Sequence, residues 1–238
     1  MTTALTPLLG LPDVERQLTL ARSAVDSALR HVRPVMAGEV ALRAAVASAS
    51  LEGHPFPIDE VRAGTVTDAV LQGALRANSG LVGLAGVWRT APRQALARLH
   101  VLAARGCVTD DELGRPSAWT PRLDQLCVLV ATPTPGAPAL LRAAVVHGEL
   151  LALRPFAGPS GVVARAAARL TLIADGLDPA GVIAPELGHA AREPEYVGSA
   201  NAFSTGTPDG VRAWIRHVAT AVEVASAELS MLADEYPQ

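Results

Sequence analysis

The segment Leu153-Arg154-Pro155-Phe156-Ala157-Gly158-Pro159-Ser160-Gly161-Val162-Val163-Ala164-Arg165 decides how this chain folds. Ahead of it, from about Ala137 to Leu153, the residues run as a helix. Behind it, a run of Val, Ala and Arg extends from about Gly161 to Ala174 and stops at Asp175-Gly176. Between the two, Pro155, Pro159 and Gly158 break the chain. The pattern is helix, tight loop, helix, with the loop opening the second helix.

Helical periodicity continues outward on both sides. A first helix is expected from about Asp13 to Val32, with Leu18, Ala21, Val25, Ala28 and Leu29 as its apolar stripe and Pro34 stopping it. A second is expected from about Gly38 to Glu52, closed by Gly53 before the breaker His54-Pro55-Phe56-Pro57. Further helices start near Ile58, where Asp59 and Glu60 suit the N-terminal dipole, at Pro92 (to about Ala104) and at Pro185 (to about Phe203). The last begins at Thr207-Pro208-Asp209, a cap followed by proline in the first turn, and runs to about Asp234. Cys107 to Gly136 differ in character: Pro116, Pro121, Pro133 and Pro135 punctuate them, and Leu126 to Val130 fit either a strand or a buried helical turn. The expected fold class is all-α, about eight helices with at most one small β-hairpin. No repeat or low-complexity linker divides residues 1–238, which read as one domain with 1–37 as an N-terminal helical extension and 54–238 as the helical core.

Half of the 238 residues are hydrophobic, so composition permits a large core. The net charge of -3 gives no electrostatic reason for nucleic-acid binding. There is no lysine: all 20 basic residues are arginine, which with the Ala and Val richness fits GC-biased coding. Cys107 and Cys127 show neither metal-ligand spacing nor a Cys-x-x-Cys pattern and read as reduced thiols. Met1 to Gly10 lack the basic start and apolar run of a signal peptide, and no stretch approaches a membrane span. A cytoplasmic protein is the expectation.

The loop resembles the signature of the Fic (Fido) family, His-Pro-Phe-x-Asp/Glu-Gly-Asn-Gly-Arg-x-x-Arg, whose members transfer nucleotide monophosphates onto protein hydroxyls. Pro155, Phe156, Gly161 and Arg165 fall in register with it. Landmarks in the same order extend the resemblance over roughly Ser48 to Val222. Arg98-Leu99-His100 is similar to a Leu-His helix, His147-Gly-Glu-Leu to the lead-in of the loop, and Glu195-Tyr196 and Trp214-Ile215 to landmarks behind it. Ser48-Ala-Ser50-Leu51-Glu52-Gly53 is similar to the family's inhibitory helix, so residues 38–53 read as an inhibitory-type helix. The resemblance implies that Glu52, in the last turn of its helix, pairs with Arg165 and blocks the γ-phosphate position.

The resemblance also implies what is missing. The family's His takes the proton from the target hydroxyl, its acidic residue holds magnesium, and its Gly-Asn-Gly turn and helix N-terminus cradle phosphates. Here Arg154 stands in the His position and cannot act as a base. Gly158 replaces the metal ligand, Pro159 removes a backbone donor, Ser160 replaces Asn and Val162 replaces the first Arg. No catalytic residue and no metal ligand is therefore assigned. Arg154, Ser160, Gly161 and Arg165 are the candidates for a residual nucleotide or phosphate contact, and Ser48, Glu52 and Gly53 form the inhibitory motif.

Competing structural readings stand beside these. Arg154 is either a rim arginine or an anion contact. Arg165 serves either a structural ion pair with Glu52 or a phosphate. Ser160 suits an N-cap more than a nucleophile. His100 and His147 read as core histidines with backbone partners, and His31, His54, His189 and His217 as scattered, without metal spacing. Trp88, Trp119 and Trp214 read as packing anchors. The expected function is that of a catalytically degenerate Fic-like protein acting in binding or regulation. No cofactor is expected, though ATP or another nucleotide remains a candidate ligand, and the magnesium site is expected to be lost. The expected partner is an unknown protein, with no nucleic acid and no membrane, and a homodimer is left open. The alternative is an active nucleotidyl- or phospho-transferase with non-standard residues, for which Glu149 and Asp175 are the nearest acids. Residues 107–136 are a candidate target-docking flap that would add a partner strand.

Overall fold

The computed structural model describes residues 5, 8, 10–117, 120–132 and 136–235. They form twelve helices: α1 (Pro12–Leu29), α2 (Met36–Ser50), α3 (Ile58–Arg62), α4 (Ala69–Ser79), α5 (Leu81–Thr90), α6 (Pro92–Ala104), α7 (Pro121–Ala131), α8 (Ala139–Leu153), α9 (Ser160–Ala174), α10 (Pro185–Ala191), α11 (Glu193–Ser204) and α12 (Pro208–Glu235). Among the described residues there is no sheet, only an isolated bridge between Arg105 and Val108. The expected all-α class is what the chain adopts.

The two helices that flank the 154–159 loop are the centre of the molecule. Every residue of α9 from Gly161 to Ala174 is buried, and its small side chains at 164 and 166–168 let neighbours close in on all sides. One apolar cluster joins α1, α2, α8, α11 and α12 around Met36, Leu141, Trp214 and Ile215. A second joins α4 to α9 around Trp88, Leu96, Leu99 and Leu170. Both Trp anchors are also polar-satisfied: Trp214 Nε1 donates to the Ala144 carbonyl (2.7 Å) and Trp88 Nε1 to Thr171 Oγ1 (3.1 Å). Trp119 lies outside the described residues. No helix is long and apolar enough to cross a membrane among those described.

The differences from the expected elements have local causes. The helix expected at Ile58 is only one short turn, and two helices, α4 and α5, occupy residues 69–90, for which the sequence pattern predicts no separate element. Asp68 caps α4 by accepting the Leu71 N–H (2.9 Å). The single helix expected from Pro185 to Phe203 divides at Arg192, because Pro194 cannot donate within a helix and starts a new one. The ambiguous apolar run Leu126–Val130 belongs to α7, capped by Thr120, so no strand edge exists there for a partner to extend. Pro133 and Pro135 of the proposed flap lie outside the described residues. Finally, α2 stops at Ser50. Gly53 turns left-handed (φ 86°) and the His54 N–H returns to the Ala49 carbonyl (3.0 Å), the geometry of a Schellman stop. Glu52 therefore lies just past the helix, not in its last turn.

Candidate functional site

The loop leaves α8 through Arg154, whose φ of 41° makes it the one non-glycine with positive φ among the described residues. That conformation strains a residue bearing a Cβ. The arginine side is exposed, while Pro155 and Phe156 are buried. The Pro155 carbonyl accepts the Ser117 N–H (2.7 Å), and Phe156 stacks on His100 with ring centroids 4.6 Å apart.

His100, fully buried on α6, fixes the loop from below. Its Nδ1 accepts the Gly114 N–H (2.9 Å), so the ring proton sits on Nε2, which donates to the Ala157 carbonyl (3.0 Å). Burial holds this imidazole below the ordinary histidine range and therefore neutral. Its partners are backbone groups, as expected, but its role in tying the loop to the chain after α6 was not visible in the sequence.

Gly158 follows with φ 72°, and a Cβ there would come within 2.8 Å of Val108 Cγ1. An acidic side chain in the metal-ligand position would meet both a strained backbone and a packed valine. Pro159 is the N-cap of α9 and makes no side-chain cap. Ser160 is the first residue of the helix, so the N-cap expected of it is one position off.

The carboxylate of Glu52 occupies the N-terminus of α9. A Cβ on Gly161 would fall 2.0 Å from Glu52 Oε1 and 3.0 Å from Arg165 Nη1, so only glycine leaves room for this approach. Arg165 Nη2 donates to Glu52 Oε1 at 2.8 Å. Its other nitrogens are also engaged: Nε by Ser48 Oγ (2.9 Å), Nη2 additionally by the Ser48 carbonyl (2.9 Å), and Nη1 by Tyr196 Oη (3.2 Å). The Arg165 side chain is 2% exposed and that of Glu52 21%. Ser48 is itself buried on α2, one turn before Glu52. The fold thus brings Ser48, Glu52, Gly161 and Arg165 around one guanidinium, with Gly53 as the turn that aims Glu52. Arg154 and Ser160 take no part in these hydrogen bonds.

Behind Arg165 lies a polar core that sequence spacing hid. Tyr196 Oη contacts His147 Nε2 (3.0 Å), and His189 Nδ1 contacts His217 Nε2 (3.0 Å). The rings of His147 and His189 meet edge-on with centroids 5.1 Å apart. His147 thus bonds a side chain, not a backbone group. Burial first, then neighbouring positive charge, pushes His147 and His189 well below the ordinary range. His217 is pushed down to about 4, again by burial first. The three histidines come from α8, α10 and α12, separations with no sequence periodicity to betray them. Among the described residues no group of three His, Cys, Asp or Glu could hold a metal ion. Nearby, Arg169 donates to Asn78 Oδ1 and to the Gly181 carbonyl (2.6 Å) and faces Glu186 Oε1 at 3.9 Å.

The candidate substitute acids stand elsewhere. Glu149 pairs with Arg122 (2.6 Å) on α7. Asp175 pairs with Arg142 (2.9 Å) at the far end of α9, about 20 Å from its start at ~1.5 Å per residue. Burial raises both thiols, Cys127 to about 11, which works against forming the thiolate at either.

No family model and no curated protein matches the chain. Among solved structures it is similar to Fic-1 from C. elegans, at 17% identity and a TM-score of 0.75, over 98% of this chain and 76% of that one. It is also similar to a Fic family protein from Desulfovibrio desulfuricans, at 17% identity and a TM-score of 0.72, over 96% of this chain and 77% of that one. Identities this low speak to architecture: the chain has the all-helical fold of Fic family proteins.

Proposed function

We propose that this chain is a Fic-fold protein that has given up nucleotidyl transfer and acts by binding a protein partner, with its ancestral nucleotide seat closed by its own Glu52. The observation that carries the reading is the carboxylate of Glu52 on the first turn of α9, held by Arg165 at 2.8 Å. A helix N-terminus favours an anion. Here that anion is internal, and the arginine that would meet a phosphate has all its nitrogens engaged.

The chemistry argues the same way. Transfer to a hydroxyl needs a base, and Arg154, exposed and a hydrogen-bond donor only, offers none. Magnesium needs an oxygen ligand near the phosphates, and position 158 is a glycine whose Cβ space Val108 fills. The carboxylate on the first turn of α9, that of Glu52, is committed to Arg165. The residues present do not fit magnesium. Gly161 and Arg165 keep the shape of an anion seat, so removing Glu52 should reopen it for a magnesium-independent contact. Arg154 and Ser160 would then line its rim.

The test is calorimetric titration of ATP, ADP and AMP, with and without magnesium, on wild type and Glu52→Ala, together with labelled-AMP transfer to the chain and to bait protein. The reading expects no transfer by either form and nucleotide binding by Glu52→Ala alone. Magnesium-dependent labelling by wild type would overturn it.

A further inference from the structure

The Glu52–Arg165 contact is wired to a buried histidine. An arginine can only donate, so at the 3.2 Å contact between Arg165 Nη1 and Tyr196 Oη the tyrosine oxygen is the acceptor. Its own proton is then free to go to His147 Nε2, 3.0 Å away. That assignment requires His147 to be neutral with Nε2 unprotonated. A second proton on His147 would turn Nε2 into a donor. Tyr196 would have to accept from two cations, and its hydroxyl proton would lose its acceptor in a buried site.

We propose that the His147–Tyr196–Arg165 chain is a protonation-gated latch, in which neutral His147 holds Arg165 on Glu52 and Ser48, and a proton on His147 releases them and uncovers the first turn of α9. The inference rests on the reading of Glu52 as the plug of an anion seat, but the movement it predicts does not require any ligand to bind.

The charges around His147 decide the direction. Arg165 faces it from α9, and His189 from α10 and Tyr196 from α11 meet it with ring centroids 5.1 and 5.7 Å away. His217 from α12 lies behind His189, Glu186 of α10 lines the same small cavity as His147 and Arg165, and Glu52 lies beyond the guanidinium. Arg169, also on α9, offsets Glu186 across 3.9 Å. Glu52 is thus matched by Arg165, whereas Glu186 has only the 3.9 Å contact with Arg169 and neither of its oxygens is hydrogen-bonded among the described residues. An added positive charge on His147 would face the Arg165 guanidinium across Tyr196, and Glu186, the acid of the shared cavity, is itself raised by burial toward its neutral form, so the charge is relieved most cheaply by separation. The element able to separate is α11, because only Tyr196 and Phe203 of its twelve residues are buried. Its other ring anchor, Phe203, packs on Gly148, where any Cβ would fall 2.7 Å from the ring. Burial and the Arg165 charge both oppose protonation of His147, so the latch works on the acid side of the ordinary histidine range.

Hydrogen exchange of the full chain, read peptide by peptide between pH 7.5 and 4.5 (from ~1 unit above an ordinary histidine to ~2 units below it) and corrected for intrinsic rates, tests this. In wild type, residues 48–54 and 193–204 should lose at least ~10-fold in protection (~1.4 kcal/mol) as pH falls, while α4 to α6 stay protected. His147→Gln keeps an acceptor for the Tyr196 hydroxyl without a titratable proton and should make the protection of 48–54 independent of pH. Tyr196→Phe, which cuts the wire, should do the same if the histidine variant fails to fold. Loss of protection with the same pH dependence in wild type and Tyr196→Phe would overturn the proposal. So would full protection of 48–54 down to the lowest pH. A failure of the anion-seat reading would show instead as nucleotide turnover or binding in wild type, with these exchange profiles unchanged.

Discussion

Removing Glu52 should cost stability, and the size of the loss follows from what it leaves behind. Arg165 is 2% exposed, so without Glu52 its charge is buried and unmatched. Breaking a buried pair by deleting one member costs about 3–5 kcal/mol. Two features reduce this. Glu52 is 21% exposed, so water already screens part of the attraction. The guanidinium also keeps Ser48 Oγ, the Ser48 carbonyl and Tyr196 Oη. The helix-dipole effects nearly cancel, because the carboxylate is unfavourable past the end of α2 and favourable at the start of α9, each worth about 0.3–1 kcal/mol. Glu52→Ala should therefore lose about 2–3 kcal/mol against the buried-pair figure. For a chain of this size that is a fall in Tm of about 5–10 °C, at ~2–4 °C per kcal/mol. Glu52→Gln keeps an acceptor for Nη2 and should lose about half as much. Urea and thermal unfolding of the three proteins measure it. A Glu52→Ala protein as stable as wild type would refute the reasoning, because it would mean that Arg165 is adequately solvated without its partner.

Restoring an acid to the loop should not restore chemistry. Gly158→Asp places a Cβ at φ 72° and 2.8 Å from Val108 Cγ1, so thermal unfolding should show a loss of about 1–3 kcal/mol, with no labelled-AMP transfer. Acid should weaken the fold through His217, whose folded pKa is about 4 against 6.5 when free. Its contribution is complete above pH 6.5 and is lost as pH falls toward 4, because the unfolded chain takes up the proton first. At ~1.4 kcal/mol per unit the loss is about 3 kcal/mol, and the difference in urea-unfolding stability between wild type and His217→Asn across that window should report it.

What could be read without coordinates divides by the reach of the interaction. The helices around the loop, the Gly53 stop and the Pro208 start depend on neighbours in sequence, and the chain adopts them within a few residues. The pairing of Glu52 with Arg165 crosses 113 positions, and only the resemblance of both flanking motifs points to it in the sequence. Where local signals failed, the reasons are physical. Five apolar residues from Leu126 to Val130 are too few to show a period, and the Thr120 cap decided for helix. Pro194 lay inside an otherwise helical pattern and broke it. His147, His189, His217 and Tyr196 meet only through the packing of four helices, and no spacing within one segment records that. Val108 against Gly158 is of the same kind.

The central claim is that Glu52 fills the seat a nucleotide would take and that the chemistry around it is gone. Titration of ATP into wild type and Glu52→Ala by calorimetry, with and without magnesium, tests it most directly. The account predicts no saturable heat for wild type up to millimolar ATP and magnesium-independent binding by Glu52→Ala. Equal, magnesium-dependent binding by both proteins would contradict it.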